Sequence, residues 1–492
     1  MGQQNSLKKK TIRGLLWSFG DLMGNQGMQF IIQIILARML LPEHFGLIGM
    51  IIVFVAVSNS IVDSGFTQAL IREQNTTQTD YSTVFYFNLA VSILIYILIY
   101  LMAPSVSVFF GEPELVSLLR VLALGILINA FGIIPRAMLT KEVNFKAQAK
   151  VNMASSIISG LVAVGMAAGG FGVWSLVIRT LVMNLIQSLL LVLSKKWVPS
   201  LTFSIISFKR LFGFGWKLLV SGLIDTIFVN IYFVIIGRQY STGQLGYYTN
   251  ASKFSDMSAQ SLSTAIQRVT YPVLSSIKDE KDRLKQSYRK IIKMSAFIIF
   301  PIMIGFVVIA EPLIHLLFGE QWLPMVPYFQ LLCIGAMLYP IHALNLNILQ
   351  VKGRSDLYLK LEIFKMIIAS ILIFLAIWLD LGIFGLVGAA VLSSYTALFI
   401  NTYYSGREIS YSVSEQLRDL IPIYAVAVIM GICTYVAGEL LLNGSFIAML
   451  IQIIMGVTFY LTFSKLAKIE ELGSIFHLIL PVIKKINPIK IN

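Results

Sequence analysis

Polar and charged residues recur on single helical faces of an otherwise apolar chain, and their chemistry is that of holding ions. Asp21, Asn25, Gln29 and Gln33 fall every four residues, which places them on one slowly rotating helical stripe. Asn59, Asp63 and Thr67 repeat that spacing on the next helix, and Asp225 and Asn230 mark a later one. A further stretch carries Asn250, Lys253, Asp256, Gln260, Ser261, Thr264, Gln267 and Arg268. Asp21, Asp63, Asp225 and Asp256 are the candidate sites for a coupling proton or sodium ion, because burial can shift a carboxylate into a titrating range. Interhelical hydrogen bonding is the competing reading of the same four. Arg120, Arg179 and Lys253 each fall ~10–12 Å from one end of their helices by the helical rise. With Arg268 and the amides Asn25, Gln29, Asn230 and Gln260 they form a candidate cavity for an anionic head group. Against this, Arg120 and Arg179 can snorkel outward or pair with helix-end carbonyls, and Lys253 can pair with Asp256 on its own helix. Arg38 and Arg238 stand at helix ends, where a cation opposes the helix dipole.

No pattern for bond-breaking chemistry accompanies them. His44, His315, His342 and His477 are scattered without metal-ligand spacing, and Cys333 and Cys433 both sit inside apolar stretches. The chain has neither a nucleophile elbow nor a phosphate-binding glycine loop, so no catalytic residue, metal or cofactor is expected.

The elements that position these residues are membrane spans. Hydrophobic residues make up 57% of the 492 and charged ones 13%, too little polar surface for a water-soluble chain. About fourteen apolar stretches reach the ~20 residues that a bilayer core requires, among them 46–71, 82–110, 114–136, 171–194, 290–310, 324–350 and 358–379. The stretch 245–274 is the least hydrophobic. A net charge of +14 is gathered in the two tails and in every second connection. That alternation marks topology, puts both termini in the cytoplasm and argues against nucleic acid. Dense charges from Ser275 to Lys293 read as a cytoplasmic helical extension. The segment Ile475 to Ile489 reads as an amphipathic helix at the membrane surface.

The pattern occurs twice, about two hundred residues apart. Pro104 precedes Phe110-Gly111-Glu112 at the spacing at which Pro312 precedes Phe318-Gly319-Glu320. Arg38 precedes Gly46 as Arg238 precedes Gly246. Six spans in each copy make the repeats parallel. The expected fold is therefore all-α: a first six-helix lobe at residues 1–200, a second at 201–410, two accessory helices at 411–464 and a cytoplasmic tail at 465–492.

These stretches resemble the Wzx-type polysaccharide flippases of the multidrug/oligosaccharidyl-lipid/polysaccharide superfamily, in the branch serving colanic and teichuronic acid export. The matching strings are Leu36-Ala37-Arg38, Pro42-Glu43-His44-Phe45-Gly46, Asp63-Ser64-Gly65-Phe66 and Asp80-Tyr81-Ser82-Thr83-Val84-Phe85. Ala103-Pro104 and Leu118-Leu119-Arg120-Val121-Leu122 continue the series. The resemblance implies a bacterial cell-membrane transporter with a central cavity between two lobes. Its substrate would be a polyprenyl (undecaprenyl) pyrophosphate-linked oligosaccharide, moved to the outer leaflet by alternating access. A coupling proton or sodium ion and a polysaccharide polymerase partner belong to the same expectation. A multidrug or cation antiporter of the same superfamily is the alternative. A membrane polymerase or ligase fits less well, because every external connection is short.

Overall fold

The computed structural model describes residues 24–63, 65–73, 75–440 and 446–474. Asp21 and the segment 475–489 lie outside them, so the readings made there stay expectations. All regular structure in the described residues is helical. Helix α1 covers 24–39, followed by α2 (Pro42–Asp63), α3 (Phe66–Arg72), α4 (Gln78–Phe110), α5 (Leu115–Leu122) and α6 (Leu124–Lys141). Then come α7 (Phe145–Ala168), α8 (Trp174–Lys195), α9 (Ile205–Gln239) and α10 (Thr242–Ser276). The rest are α11 (Lys281–Val308), α12 (Ala310–Phe318), α13 (Val326–Ala336), α14 (Tyr339–Val351), α15 (Ser355–Trp378), α16 (Gly382–Ile409), α17 (Val413–Leu440) and α18 (Phe446–Leu466).

Among the described residues, twelve spans are long and apolar enough to cross a membrane. The expectation of about fourteen exceeds this for two reasons. Only part of α1 is described, and α10 has the length but is too polar to qualify. Three expected single spans are each built of two helices, broken at Gly65, Ala123 and Met337. The span expected at 290–310 ends at Ile309, where α12 begins. Pro312 and Pro340 lie in the first turns of α12 and α14, where a missing N–H is tolerated, and each stops the preceding helix. Gly111 and Gly319 follow α4 and α12 with φ of 77° and 98°, so the repeated Phe-Gly-Glu strings are helix ends.

Burial is reversed relative to a soluble helix. Helix α4 turns Leu94, Leu98, Leu101 and Val108 outward and buries Asn88, Ser92 and Ser107. In lipid there is no water-driven gain from covering an apolar side chain. Helices are held instead by close packing and by polar contacts between them.

The chain divides into two compact units, Met1–Thr249 and Asn250–Asn492. Packing thus places the division within α10, whereas the sequence repeat divides near residue 200. The reason is α9, which packs on α2 and whose Phe208 and Phe212 join a cluster with Phe66, Phe87 and the buried Phe85. Phe208 and Phe212 stack at 5.3 Å, and Phe87 meets Phe208 at 5.0 Å. Such aromatic pairs each contribute about 0.5–1.5 kcal/mol beyond area. Asp80 completes the joint: it closes a capping box with Thr77 at the start of α4 and accepts from Arg210 of α9 at 2.6 Å.

In the second unit, polar contacts tie α17 to the helices before it. Arg289 of α11 donates to both carboxylate oxygens of Asp419, at 2.5 and 2.6 Å. Tyr411, in the turn before α17, donates to the same group at 2.5 Å. Burial, and then Asp419 beside it, push the Tyr411 phenol well above its usual range, so the hydroxyl remains a donor.

Candidate functional site

Of the guanidinium groups within membrane spans of the first unit, those of Arg136 and Arg179 are held by amides. Arg179, one turn into α8, donates through Nη1 to Oε1 of the buried Gln33 on α1 at 3.5 Å. Arg136 of α6 donates through Nη2 to Gln187 Oε1 of α8 at 3.0 Å, and Gln187 Nε2 donates to Asn152 Oδ1 of α7 at 2.7 Å. Gln148 adds a bond from α7 to the Arg136 carbonyl at 3.3 Å. Gln187 is two turns along α8 from Arg179, so the two groups are spaced ~12 Å along the helix axis. The charged neighbour of Arg136 is Asp63, which accepts the Thr67 hydroxyl across the α2–α3 break. Asn129 of α6 donates to Asn59 of α2 at 3.3 Å nearby in the chain. Such a set can bind an anion, because a guanidinium offers several donors. The amide partner of Arg179 adds no opposing charge, whereas Asp63 offsets part of that of Arg136.

The other sequence candidates are distributed differently. Gln29 donates to Asn25 along α1 at 3.4 Å. Asn230 turns back to the Thr226 carbonyl of its own helix at 2.7 Å. Asp225 lies on an exposed face of α9 and Lys253 on one of α10, each with neighbours of its own, and Gln260 is exposed too. The Arg268 side chain is outside the described set. Asp256 accepts from Ser252 and from Tyr339 Oη of α14, each at 3.1 Å. Arg238 rests against the Phe109 ring, 5.4 Å from its centroid. Among the described residues no His, Cys, Asp and Glu cluster is arranged to hold a metal ion.

Arg120 has a local task. Its Nε donates to the Tyr100 carbonyl at 3.2 Å, and its guanidinium lies 4.1 Å from the centroid of the Tyr100 ring. Pro104, four residues on in α4, has no N–H to give that carbonyl. The arginine thus supplies the missing donor. The second unit repeats the device with other residues: Pro301 opens α11 at the Phe297 carbonyl, and Tyr460 of α18 donates there at 2.9 Å. Arg120→Ala is expected to cost about 1 kcal/mol in an otherwise unchanged chain and almost nothing beside Pro104→Ala, which restores the N–H. Thermal unfolding of the two single variants and the double variant measures this. Equal costs in both backgrounds sink the assignment.

Sequence reasoning missed Arg136. Hydropathy ends the span at this residue, whereas α6 runs on to Lys141 and carries the guanidinium inside. It also missed every polar contact between α11, α14, α16 and α17.

These features define a polytopic helical membrane protein whose interior polar groups hold charge. The chain belongs to the polysaccharide biosynthesis protein family, whose model matches residues 35–327. It is 30% identical over 300 residues to the teichuronic acid biosynthesis protein TuaB of Bacillus subtilis, covering 60% of this chain and 62% of that one. It is 25% identical to the lipopolysaccharide biosynthesis protein WzxC of Escherichia coli over 73% of this chain and 74% of the relative. The succinoglycan biosynthesis transport protein ExoT of Rhizobium meliloti is 28% identical over 66% of each. The match therefore spans less than two thirds of TuaB and about two thirds of ExoT. The fold is similar to that of the lipid II flippase MurJ in an inward closed conformation, with a TM-score of 0.75, 16% identity and coverage of 92% of this chain and 98% of MurJ. An inward-facing MATE multidrug transporter of the MOP superfamily gives 0.62 at 19% identity, over 80% of this chain and 98% of that one.

Proposed function

We propose that this protein moves a polyprenyl diphosphate-linked oligosaccharide from the cytoplasmic to the outer leaflet of a bacterial cell membrane, with no covalent chemistry. The observation that carries the reading is the pair Arg136 and Arg179, guanidinium groups within spans whose hydrogen bonds go to amides. A charge at the centre of a span costs about 2.5–3.5 kcal/mol on insertion scales and less toward the ends. Arg136 and Arg179 stand toward the ends, about a turn and a half from Lys141 and Trp174. A charge kept within a span marks a functional site by default. A diphosphate supplies the anion for such a pair, while the polyprenyl tail stays in lipid. Membership of the polysaccharide biosynthesis family supports the substrate class, as do the names of TuaB, WzxC and ExoT. In this reading residues 1–200 and 201–410 are the two lobes of an alternating-access cycle, 411–464 are accessory helices, and both termini are cytoplasmic. Asp63, Asp225 and Asp256 stand as candidate coupling sites for a proton or sodium ion, and a polysaccharide polymerase is the expected partner. Arg120 serves the scaffold of α4 instead.

The test uses purified protein in liposomes with a fluorescent polyprenyl diphosphate disaccharide and a membrane-impermeant quencher. The protein is expected to bring the inner-leaflet probe within reach of the quencher. Arg136→Gln and Arg179→Gln should each slow this about tenfold or more, the worth of one hydrogen bond to a charged group. Rates no higher than in empty liposomes, or variants as fast as the parent, overturn the proposal. Movement of a cationic dye in place of the probe would assign the multidrug alternative.

A further inference from the structure

The connector between α8 and α9, residues 196–204, turns its polar groups inward and its apolar ones outward. Trp197 donates through Nε1 to Gln78 Oε1 at 2.8 Å, and Gln78 Nε2 donates to the Val198 carbonyl at 2.8 Å. The Ser200 amide donates to Ser82 Oγ at 2.9 Å, and the Ser204 amide to Thr83 Oγ1 at 3.0 Å. The first turns of α4 thus hold the connector at four points, and its course is fixed. The apolar side chains between and after these points face away. Leu201 is 95% exposed and Val198 73%, and Phe203, Ile205 and Ile206 are exposed with them. A row of that kind in contact with water marks a surface that meets a partner.

Depth and charge identify the partner. Helix α4 has 33 residues, which the helical rise makes ~50 Å long, against ~30 Å for a hydrocarbon core. Its exposed apolar side chains run from Ile93 to Phe109, a length of ~24 Å by the same rise. The surplus lies at the Gln78 end, where Ser82, Thr83 and Phe85 are buried. The connector bound there sits at the depth of the lipid headgroups. On α8 the exposed Leu189 and Leu193 lead in the chain to Lys196 and Val198, so the apolar row continues the lipid-facing surface. No acidic residue occurs between Lys195 and Arg210. Lys195 is engaged by Glu142 and Arg210 by Asp80, whereas Lys196 and Lys209 are exposed and form no ion pair among the described residues. Two spare cations beside an exposed apolar row fit a surface that is apolar beneath and negative above. An acidic soluble partner would match the lysines alone.

We infer that this connector is a binding surface for anionic phospholipid headgroups of the surrounding bilayer, with Leu201, Ile205 and Ile206 entering the headgroup layer and Lys196 and Lys209 meeting lipid phosphates. The test uses the full chain in liposomes and needs no lipid-linked sugar. Leu201→Cys carries an environment-sensitive fluorophore, and the parent treated in the same way gives the background from Cys333 and Cys433. Leu201 is almost wholly exposed, so the substitution removes little packing. The liposomes contain phosphatidylcholine and phosphatidylglycerol, one of the two spin-labelled near the top of its acyl chain. At equal mole fraction the labelled phosphatidylglycerol should quench the fluorophore more strongly than the labelled phosphatidylcholine. Each lysine should contribute about a fivefold preference for the anionic lipid near the site. Lys196→Gln and Lys209→Gln together should make the two lipids quench alike, with size exclusion confirming that the variant is folded. A fluorophore that neither lipid reaches faces water, where a protein partner would bind, and overturns the inference. Equal quenching by the two lipids in the parent, or a preference that survives the double lysine variant, overturns it as well.

Discussion

Gly46→Ala and Gly246→Ala are expected to damage the protein to the same extent, each by about 1–3 kcal/mol of folding stability, the usual cost of an overpacked contact. Within the first unit the opening turns of α2 and α10 cross reciprocally. A Cβ on Gly46 would fall on the Thr242 carbonyl, and one on Gly246 on the Pro42 carbonyl. Position i of the first copy of the repeat meets position j of the second, and j meets i, as in a self-complementary interface. Small residues let helix backbones approach this closely in a membrane, and backbone atoms cannot swing aside as side chains can. Two further changes calibrate the effect. At Gly243 the obstruction is the Glu43 carboxylate, the mobile end of a side chain, so Gly243→Ala should be milder. At Gly388 of α16 nothing lies within 4 Å, and Ala there should stabilise by about 0.5–1 kcal/mol through its helix preference. Fluorescence-detected size exclusion after heating ranks the four variants, and surface polymer on complemented cells reports the functional loss. If Gly46→Ala and Gly246→Ala melt like the parent, the crossing is not the contact described here.

This contact also shows where the sequence is informative. The repeat places Gly46 and Gly246 at matching positions. Hydropathy places Gly46 at the start of a span because length and apolarity suffice to mark one, whereas the more polar α10 is marked mainly by its place in the repeat. That the two glycines meet depends on the crossing of α2 and α10, which no local pattern encodes. The same limit applies to Arg120. Pro104 and Arg120 are both conspicuous in the chain, yet the donation to Tyr100 depends on how the Gly111 turn folds α5 back against α4. For His342 the partners Ser394 and Asn401 are 52 and 59 residues away, and a lone histidine in an apolar segment gives no sign of them. Arg179 and Gln33 were legible as interior polar residues because their segments are otherwise apolar. Arg136 was not, because a basic residue near a span's end looks like a topology signal.

The largest effect on the second unit is expected at Asn345. This residue is fully buried in α14, and its Oδ1 accepts from Tyr288 of α11 at 2.7 Å and from Ser405 of α16 at 2.5 Å. Its Nδ2 faces Thr402 at 3.4 Å and Gln416 of α17 at 3.3 Å, and Thr402 donates to Gln416 at 2.6 Å. One amide therefore joins four helices, including the first of the accessory pair. Leucine has the same branched outline, though its methyl groups are bulkier, and it suits a membrane helix, so hydropathy alone would call Asn345→Leu harmless or stabilising. The hydrogen-bond account says the opposite. The change takes the shared acceptor from the buried Tyr288 and Ser405 hydroxyls, leaving Ser405 only the Thr402 carbonyl at 3.4 Å. The cost is up to about 1–3 kcal/mol for each, and a partly satisfied polar network is worse than an apolar one. Asn345→Leu should lower thermal stability by up to about 2–6 kcal/mol on that basis. Adding Tyr288→Phe and Ser405→Ala removes the stranded hydroxyls and should recover a large part of the loss. The recovery distinguishes the network from a simple packing defect, which those two truncations would deepen. A triple variant less stable than Asn345→Leu alone rules out the network as the source of the cost.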